Sequence, residues 1–217
     1  FSRDMFGMGK ESGTPIVPIV SSAKLARISE GLGAAAVIVE GNEAGGHLGT
    51  DRSSRDIVPE VVAAVKKIPV IGAGGVLEGK DIVEMLRLGA SGVQMGSRFA
   101  ASVECNASDE LKKMYVRTKK AEDVVLIQSP VGLPGQAIRN RFVETVLDGT
   151  VPAPKACDAC LKHCSHKFCL IKALERAQQG DVETGLVFSG NNMRKVNEIL
   201  PVKEIFARLQ QEVSQID

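Results

Sequence analysis

A single histidine lies in a glycine-rich loop that follows an apolar run. His47 occurs in GNEAGGHLGT, directly after residues 36–40, AVIVE. Glycines let the backbone approach a planar ligand closely, while an imidazole can move a proton near neutral pH or donate a hydrogen bond. The loop therefore predicts a catalytic or substrate-orienting role for His47. A histidine that merely caps a backbone group stays the alternative.

Two further turns have the composition of phosphate-binding loops. GAGGV at 72–76 follows one apolar run, and MGSR at 95–98 follows the next. Glycine lets backbone N–H groups approach a phosphate, and a helix N-terminus favours the anion. In (β/α)8 barrels the loops after strands seven and eight hold a phosphate in this way. Together the two turns predict a phosphate site, with two ordinary tight turns as the alternative.

Four apolar, β-branched runs must position these loops. They lie near residues 17, 37, 70 and 93, and helix-like segments separate them. Uninterrupted apolar runs are typical of parallel strands covered on both faces, so the rhythm predicts an α/β fold. Four units do not close a barrel of eight, which leaves a flavodoxin-like open sheet or half of a barrel. The phosphate turns favour the half-barrel, with these runs as strands five to eight.

Beyond the fourth run the pattern changes, and it predicts four segments. Residues 1–105 form barrel units five to eight, and residues 106–156 form a helical insert or lid. Residues 157–185 form a cysteine-rich helical segment, and residues 186–217 return towards the barrel. The fold class is therefore α/β, the C-terminal half of a barrel with a mainly helical appendage.

Four of the five cysteines lie within 13 residues, in the pattern C-x2-C-x3-C-x4-C. Four thiolates this close can ligate zinc or an iron–sulfur cluster, and His163 or His166 could replace one of them. The alternative is that these residues pack as small apolar side chains and bind nothing. The pattern predicts a metal site, with iron–sulfur ahead of zinc; its ligands are Cys157, Cys160, Cys164 and Cys169.

The composition excludes several classes of protein. The net charge is +1, and no basic run is interleaved with aromatic residues, so we expect no nucleic-acid partner. No stretch is long and apolar enough to span a bilayer, so we expect no membrane association. The clustered cysteines differ from the spread of a secreted disulfide framework, which favours a cytoplasmic location.

Three runs carry a family resemblance: VIVEGNEAGGHLGT, IPVIGAGGV and GASGVQMGSRF. In order and spacing they resemble the superfamily of nitronate monooxygenases and flavin-dependent enoyl-ACP reductases. The resemblance implies an FMN at the mouth of the barrel and a catalytic or substrate-orienting His47. It also implies a set of cofactor-binding residues: Gly74, Gly75, Gly96 and Ser97 at the phosphate, Glu43, Gly45 and Gly46 along the flavin, and Ser189, Gly190 and Asn191 from the late segment GDVETGLVFSGNN.

The resemblance also implies the reaction. We expect FMN-dependent oxidation of alkyl nitronates with O2. The alternatives are NAD(P)H-dependent reduction of enoyl thioesters by FMN, and a non-redox barrel or binding subunit that holds a phosphate metabolite. The expected partners are a small-molecule substrate and an N-terminal half of the barrel, in the same chain or as a separate piece. A homodimer is left open.

Overall fold

In a computed structural model, which describes residues 3–157 and 159–216, the chain forms two compact units. The first unit contains residues 3–43, 49–95 and 208–216, and the second contains residues 44–48 and 96–207. Each unit is a continuous set of packed elements built from more than one stretch of sequence. They are described in turn.

The first unit is a parallel sheet with helices. Its strands are β1 (Ile19–Val20), β2 (Val37–Glu40), β4 (Val70–Ala73) and β5 (Gly92–Gln94), and they pair in the order β1-β2-β4-β5. Every pairing is parallel. Its helices are α1 (Arg3–Ser12), α2 (Ala23–Gly31), α3 (Ser54–Ala64) and α4 (Gly79–Arg87). The predicted α/β fold with four parallel strands is confirmed, whereas α1 was not predicted.

Local sequence explains how these helices begin, and an apolar core holds them to the sheet. Ser22 caps α2, since its Oγ accepts a hydrogen bond from the Leu25 N–H at 3.3 Å. Ser53 caps α3 in the same way through the Arg55 N–H at 3.2 Å. The strand and helix residues pack into one buried cluster that includes Val37, Val39, Ile57, Val61, Val70 and Met85.

The second unit contains a small antiparallel sheet, with strands β3 (Gly46–His47), β6 (Val124–Gln128) and β7 (Pro134–Ile138) in the order β3-β7-β6. Its helices are α5 (Ser97–Ala100), α6 (Asp109–Arg117), α7 (Arg141–Leu147), α8 (Leu170–Gln179) and the first part of α9 (Val202–Ser214), whose remainder belongs to the first unit. The predicted helical insert at 106–156 therefore also contains the β6–β7 hairpin. The sequence analysis missed it because Pro134 and Gly135 are poor strand residues.

Candidate functional site

His47 lies on a strand that pairs with the hairpin. In β3, Gly46 is opposite Gln136 and His47 is opposite Gly135, in an antiparallel register. The Gln136 side-chain amide also donates to the Ala44 carbonyl at 2.6 Å, and the Leu48 N–H donates to the Pro134 carbonyl at 2.9 Å. The glycine-rich loop is thus fixed on both sides of the histidine. The hydrogen bonds to β7 hold the backbone of the loop in place.

Two side chains fix the imidazole itself. Nε2 of His47 lies 2.7 Å from Oγ of Ser129, with the direction of the hydrogen bond depending on the tautomer. The ring of Phe188 meets the imidazole edge to face, with centroids 5.1 Å apart and planes at 69°. Partial burial lowers the pKa of His47 below its ordinary value. The imidazole is therefore neutral near pH 7 and held in one orientation.

Ser129 contacts the candidate site, and the sequence analysis did not single it out. It is buried at the end of β6, where its N–H donates to the Leu133 carbonyl at 3.1 Å and closes the hairpin loop. Only the pairing of β3 with β7 brings it to the histidine, 82 residues away in sequence. In the sequence, Ser129 appears only as a serine at the start of the turn SPVGLP, and this pattern does not indicate a histidine partner.

Phe188 is held from behind by a buried tyrosine. The Tyr115 hydroxyl donates to the Phe188 carbonyl at 3.0 Å, and burial raises the pKa of Tyr115 to about 12. Tyr115 therefore stays a neutral donor at any physiological pH. Gly135 also lies close to the ring, because a Cβ added at this glycine would be only 2.9 Å from Cε1 of Phe188. Phe188 is thus packed closely against the hairpin.

Several predicted cofactor-binding residues of the second unit come together. A Cβ on Gly45 would lie 2.7 Å from the Gly190 nitrogen, so only glycine allows this approach to the late segment. The Gly190 N–H donates to Oγ of Ser97 at 3.2 Å, and Ser189 is buried beside it. Asn191 follows on the surface. Residues far apart in the sequence therefore meet near the start of α5.

The turn at Gly96 and Ser97 is open to a ligand. Gly96 is the N-cap of α5 and makes no side-chain cap, because it has no side chain. A Cβ built on Gly96 meets no atom within 4 Å. The start of α5 is thus a place where backbone N–H groups and the Ser97 hydroxyl can be reached from outside.

The other predicted phosphate turn lies in the first unit and is built differently. Gly74 and Gly75 have positive φ angles of 96° and 69°, which side chains other than glycine rarely adopt. Nη1 of Arg55 donates to the Gly74 carbonyl at 2.8 Å, and Nη2 lies 3.5 Å from the Gly75 carbonyl. Because a trans peptide directs N–H opposite to C=O, the N–H groups that follow point away from Arg55.

The helix after this turn is already capped by carboxylates. α4 begins only at Gly79, whose N–H donates to Oε2 of Glu212 at 2.5 Å. Oδ2 of Asp81 accepts from the N–H groups of Leu77 at 2.9 Å and Glu78 at 3.1 Å. The protein's own anions therefore occupy the N-terminus of α4. At Gly74 and Gly75 only the turn itself remains for a phosphate, without the helix dipole that the sequence argument invoked.

Glu43, predicted to line the flavin, contacts the start of α3 in the first unit. One carboxylate oxygen accepts from the Ser53 hydroxyl, and the other accepts from the Ser54 N–H at 3.0 Å. Nη1 of Arg55 lies 3.9 Å from the same carboxylate. Glu43 therefore joins the start of α3 to the glycine-rich loop. Nearby, burial raises the pKa of Glu40 at the end of β2.

All four clustered cysteines line one small cavity in the second unit, of about 80 Å³. Among the described residues, 3–157 and 159–216, no three His, Cys, Asp or Glu side chains are grouped as ligands of a single metal ion. The metal site at Cys157, Cys160, Cys164 and Cys169 therefore stays a prediction.

The fold and the glycine turns define an α/β protein of the TIM-barrel class, and comparison with known proteins agrees. The family described as Nitronate monooxygenase matches residues 2–212, so the chain belongs to that family. A probable nitronate monooxygenase of Staphylococcus aureus (strain JH9) is 33% identical over 154 residues, 66% of this chain and 43% of the relative.

Two solved structures are similar over nearly the whole chain. FabK from Thermotoga maritima is 34% identical with a TM-score of 0.81, over 96% of this chain and 63% of FabK. Nitroalkane oxidase from Streptomyces ansochromogenes is 26% identical with a TM-score of 0.79, over 99% of this chain and 62% of the oxidase. The chain thus spans less than half of the curated relative and less than two thirds of these structures. Within the residues that the structure describes, no helix has the length and apolarity to cross a membrane.

Proposed function

We propose that the protein carrying this chain is an FMN-dependent oxidoreductase that oxidises alkyl nitronates with O2. Family membership supports the class of reaction. The observation that carries the proposal is the neutral imidazole of His47, held by Ser129 and Phe188 in a glycine-rich loop. We further propose that sequence outside this chain supplies the rest of the barrel, since the chain spans 63% of FabK, and that the protein is cytoplasmic.

The residues present fit an FMN. The uncapped start of α5 offers the Gly96 and Ser97 backbone to the phosphate, and no atom lies within 4 Å of a Cβ at Gly96. Gly45 and Gly46 lack side chains that would keep a planar ring from the loop backbone. Gly74 and Gly75, in the first unit, stay predicted cofactor-binding residues. When bound, FMN supplies the redox chemistry, taking up electrons from the substrate and passing them to O2.

His47 acts on the substrate. As a neutral imidazole it can donate a hydrogen bond to a nitronate oxygen or accept a proton from carbon next to a nitro group. Which of these it does depends on the tautomer. The hydrogen bond between Nε2 and Oγ of Ser129 orients the ring in either tautomer, since a hydroxyl can donate or accept. Phe188 covers one edge of the ring and keeps water from that side. The role of the protein here is orientation and proton control.

A second candidate is reduction of an enoyl thioester with NAD(P)H as the electron donor. The same neutral imidazole favours it, since an imidazole N–H can donate to a thioester carbonyl oxygen as readily as to a nitronate oxygen. The third reading, a barrel that holds a phosphate metabolite without redox chemistry, needs neither FMN nor His47.

Flavin content and substrate choice test these readings. The full-length protein is purified, its FMN is quantified, and turnover is measured with an alkyl nitronate under O2 and with an enoyl thioester plus NADPH. We expect about one FMN per chain and turnover of the nitronate. Turnover of the thioester alone would replace the first proposal by the second. Protein without flavin and without turnover of either substrate would refute both.

A further inference from the structure

The four clustered cysteines lie on a long loop between α7 and α8. Residues 151–169, between α7 and α8, contain no helix or strand among those described, 151–157 and 159–169, and most of these residues are exposed. Phe168, at the end of the loop, is buried against Phe142, with ring centroids 5.3 Å apart. Loops of this length without secondary structure are uncommon in compact domains and usually have a function.

The four cysteines of the loop line the same cavity. Cys157, Cys160, Cys164 and Cys169 are free cysteines, and all of them line the cavity of about 80 Å³. Leu161, Phe168 and Leu170 form part of its apolar wall. A cavity that only filled a packing defect would not require a cysteine at each of four separate places around it.

Two residues of the loop have an uncommon backbone conformation. Ala159 and His166 have φ angles of 48° and 56°, and they are the non-glycine residues with positive φ in the described chain. Such conformations cost free energy and concentrate at functional sites. One lies inside the C-x2-C pair, and the other follows Cys164, whose Sγ accepts the His166 N–H at 3.4 Å. Hydrogen bonds to sulfur are typical of the surroundings of metal-bound thiolates.

The size of the cavity favours a cluster over a single ion, since four cysteines line one cavity and a lone zinc ion needs no such space. The cavity of about 80 Å³ is several times the ~15 Å³ that one water needs. We infer that Cys157, Cys160, Cys164 and Cys169 bind an iron–sulfur cluster.

The test measures metal and sulfide, independently of turnover. The full-length protein is purified without O2, and its iron, zinc, acid-labile sulfide and FMN are quantified. An electron paramagnetic resonance spectrum is recorded after reduction with dithionite. Cys160→Ser and Cys164→Ser each remove one ligand, while Cys105→Ser removes the cysteine outside the loop and is the matched control. FMN content reports whether each variant is folded and separates this inference from the proposed function.

We expect about two or four iron ions with as many sulfides per chain, and a signal from the reduced cluster. In Cys160→Ser and Cys164→Ser the iron should fall about tenfold or more, whereas Cys105→Ser should retain it. Stoichiometric zinc without sulfide would overturn the cluster in favour of a single ion. Protein with neither metal, or iron that survives both ligand substitutions, would overturn the site altogether. Each of these outcomes is compatible with a flavin-loaded, active enzyme.

Discussion

The two units of the chain use their polar residues in different ways. In the first unit charged side chains bind one another and the backbone. Arg55 contacts the Gly74 carbonyl and Glu84, while Glu43 accepts from the Ser54 N–H and Asp81 from the Leu77 N–H. In the second unit the central polar contact is between two uncharged groups, His47 and Ser129. Charge networks stabilise a framework, whereas a neutral, oriented imidazole is suited to moving protons. We therefore expect substitutions in the first unit to change stability and those in the second to change turnover.

The largest effect should follow removal of the imidazole. His47→Ala should lower kcat/KM by about 10²- to 10⁴-fold, the range that a general acid–base group contributes. FMN content should stay unchanged, because the imidazole is not needed to hold the phosphate. Steady-state kinetics with an alkyl nitronate, beside flavin quantification, measures both. Unchanged turnover in this variant would remove His47 from the mechanism.

A pair of arginines tests the stabilising network. Arg55→Ala should lower the free energy of unfolding by about 2–3 kcal/mol, because it leaves partly buried carboxylates without their cation. The matched control is Arg52→Ala, which breaks an ion pair with Glu60 whose side chains are 46% and 48% exposed. That loss should be much smaller, because solvent screens an exposed ion pair. Denaturant unfolding gives both values. Equal losses in the free energy of unfolding would show that the ion pairs of Arg55 stabilise the fold no more than an exposed pair does.

A negative charge tests the phosphate site at the start of α5. Gly96→Asp should weaken FMN binding about tenfold, because a carboxylate at a helix N-terminus competes with and repels a phosphate. Gly7→Asp, in the exposed part of α1, also has open space around the new side chain and is the control. Fluorescence titration of the apoprotein with FMN measures the difference. Equal FMN affinity in both variants would show that the phosphate does not bind at the start of α5.

Loss of the orienting hydroxyl should have a smaller effect. Ser129→Ala removes one hydrogen bond to His47, and we expect kcat/KM to fall about fivefold, the equivalent of about 1 kcal/mol. Ser91→Ala, at an exposed position of the first unit, is the control. If Ser129 acts by positioning the ring, the variant should also shift the acidic limb of the pH profile. A rate loss with an unmoved limb would reduce Ser129 to a structural role.

The pH dependence follows from the burial of His47. Burial lowers its pKa below the ordinary histidine value of about 6.5, so the neutral form persists into mildly acidic solution. Activity that needs the neutral imidazole should therefore decline only at a pH below the ordinary histidine value. The same group contributes stability above its unfolded pKa that is lost as pH falls through the folded value. An activity limb above pH 7 in kcat/KM would contradict this assignment.

How much the sequence predicts differs between the units for a physical reason. Strands β2 and β4 appear as continuous apolar runs, because each is covered on both faces, and their parallel order follows from the β-α rhythm. The role of Ser129 depends on a pairing between β3, only two residues long, and a hairpin strand that contains Pro134 and Gly135. Local propensity gives no signal for such a strand. Likewise, GAGGV indicates a phosphate turn, but Glu212 on a distant helix decides that the N-terminus of α4 is occupied.

The central claim is that this chain is part of a flavin oxidoreductase whose histidine acts on the substrate. An anaerobic visible absorption spectrum of the full-length protein, before and after addition of an alkyl nitronate, tests it most directly. The account predicts flavin bands that bleach on addition of the nitronate, and that bleach far more slowly in His47→Ala. Bleaching by NADPH alone would assign the protein to enoyl-thioester reduction instead. A colourless protein would contradict the account.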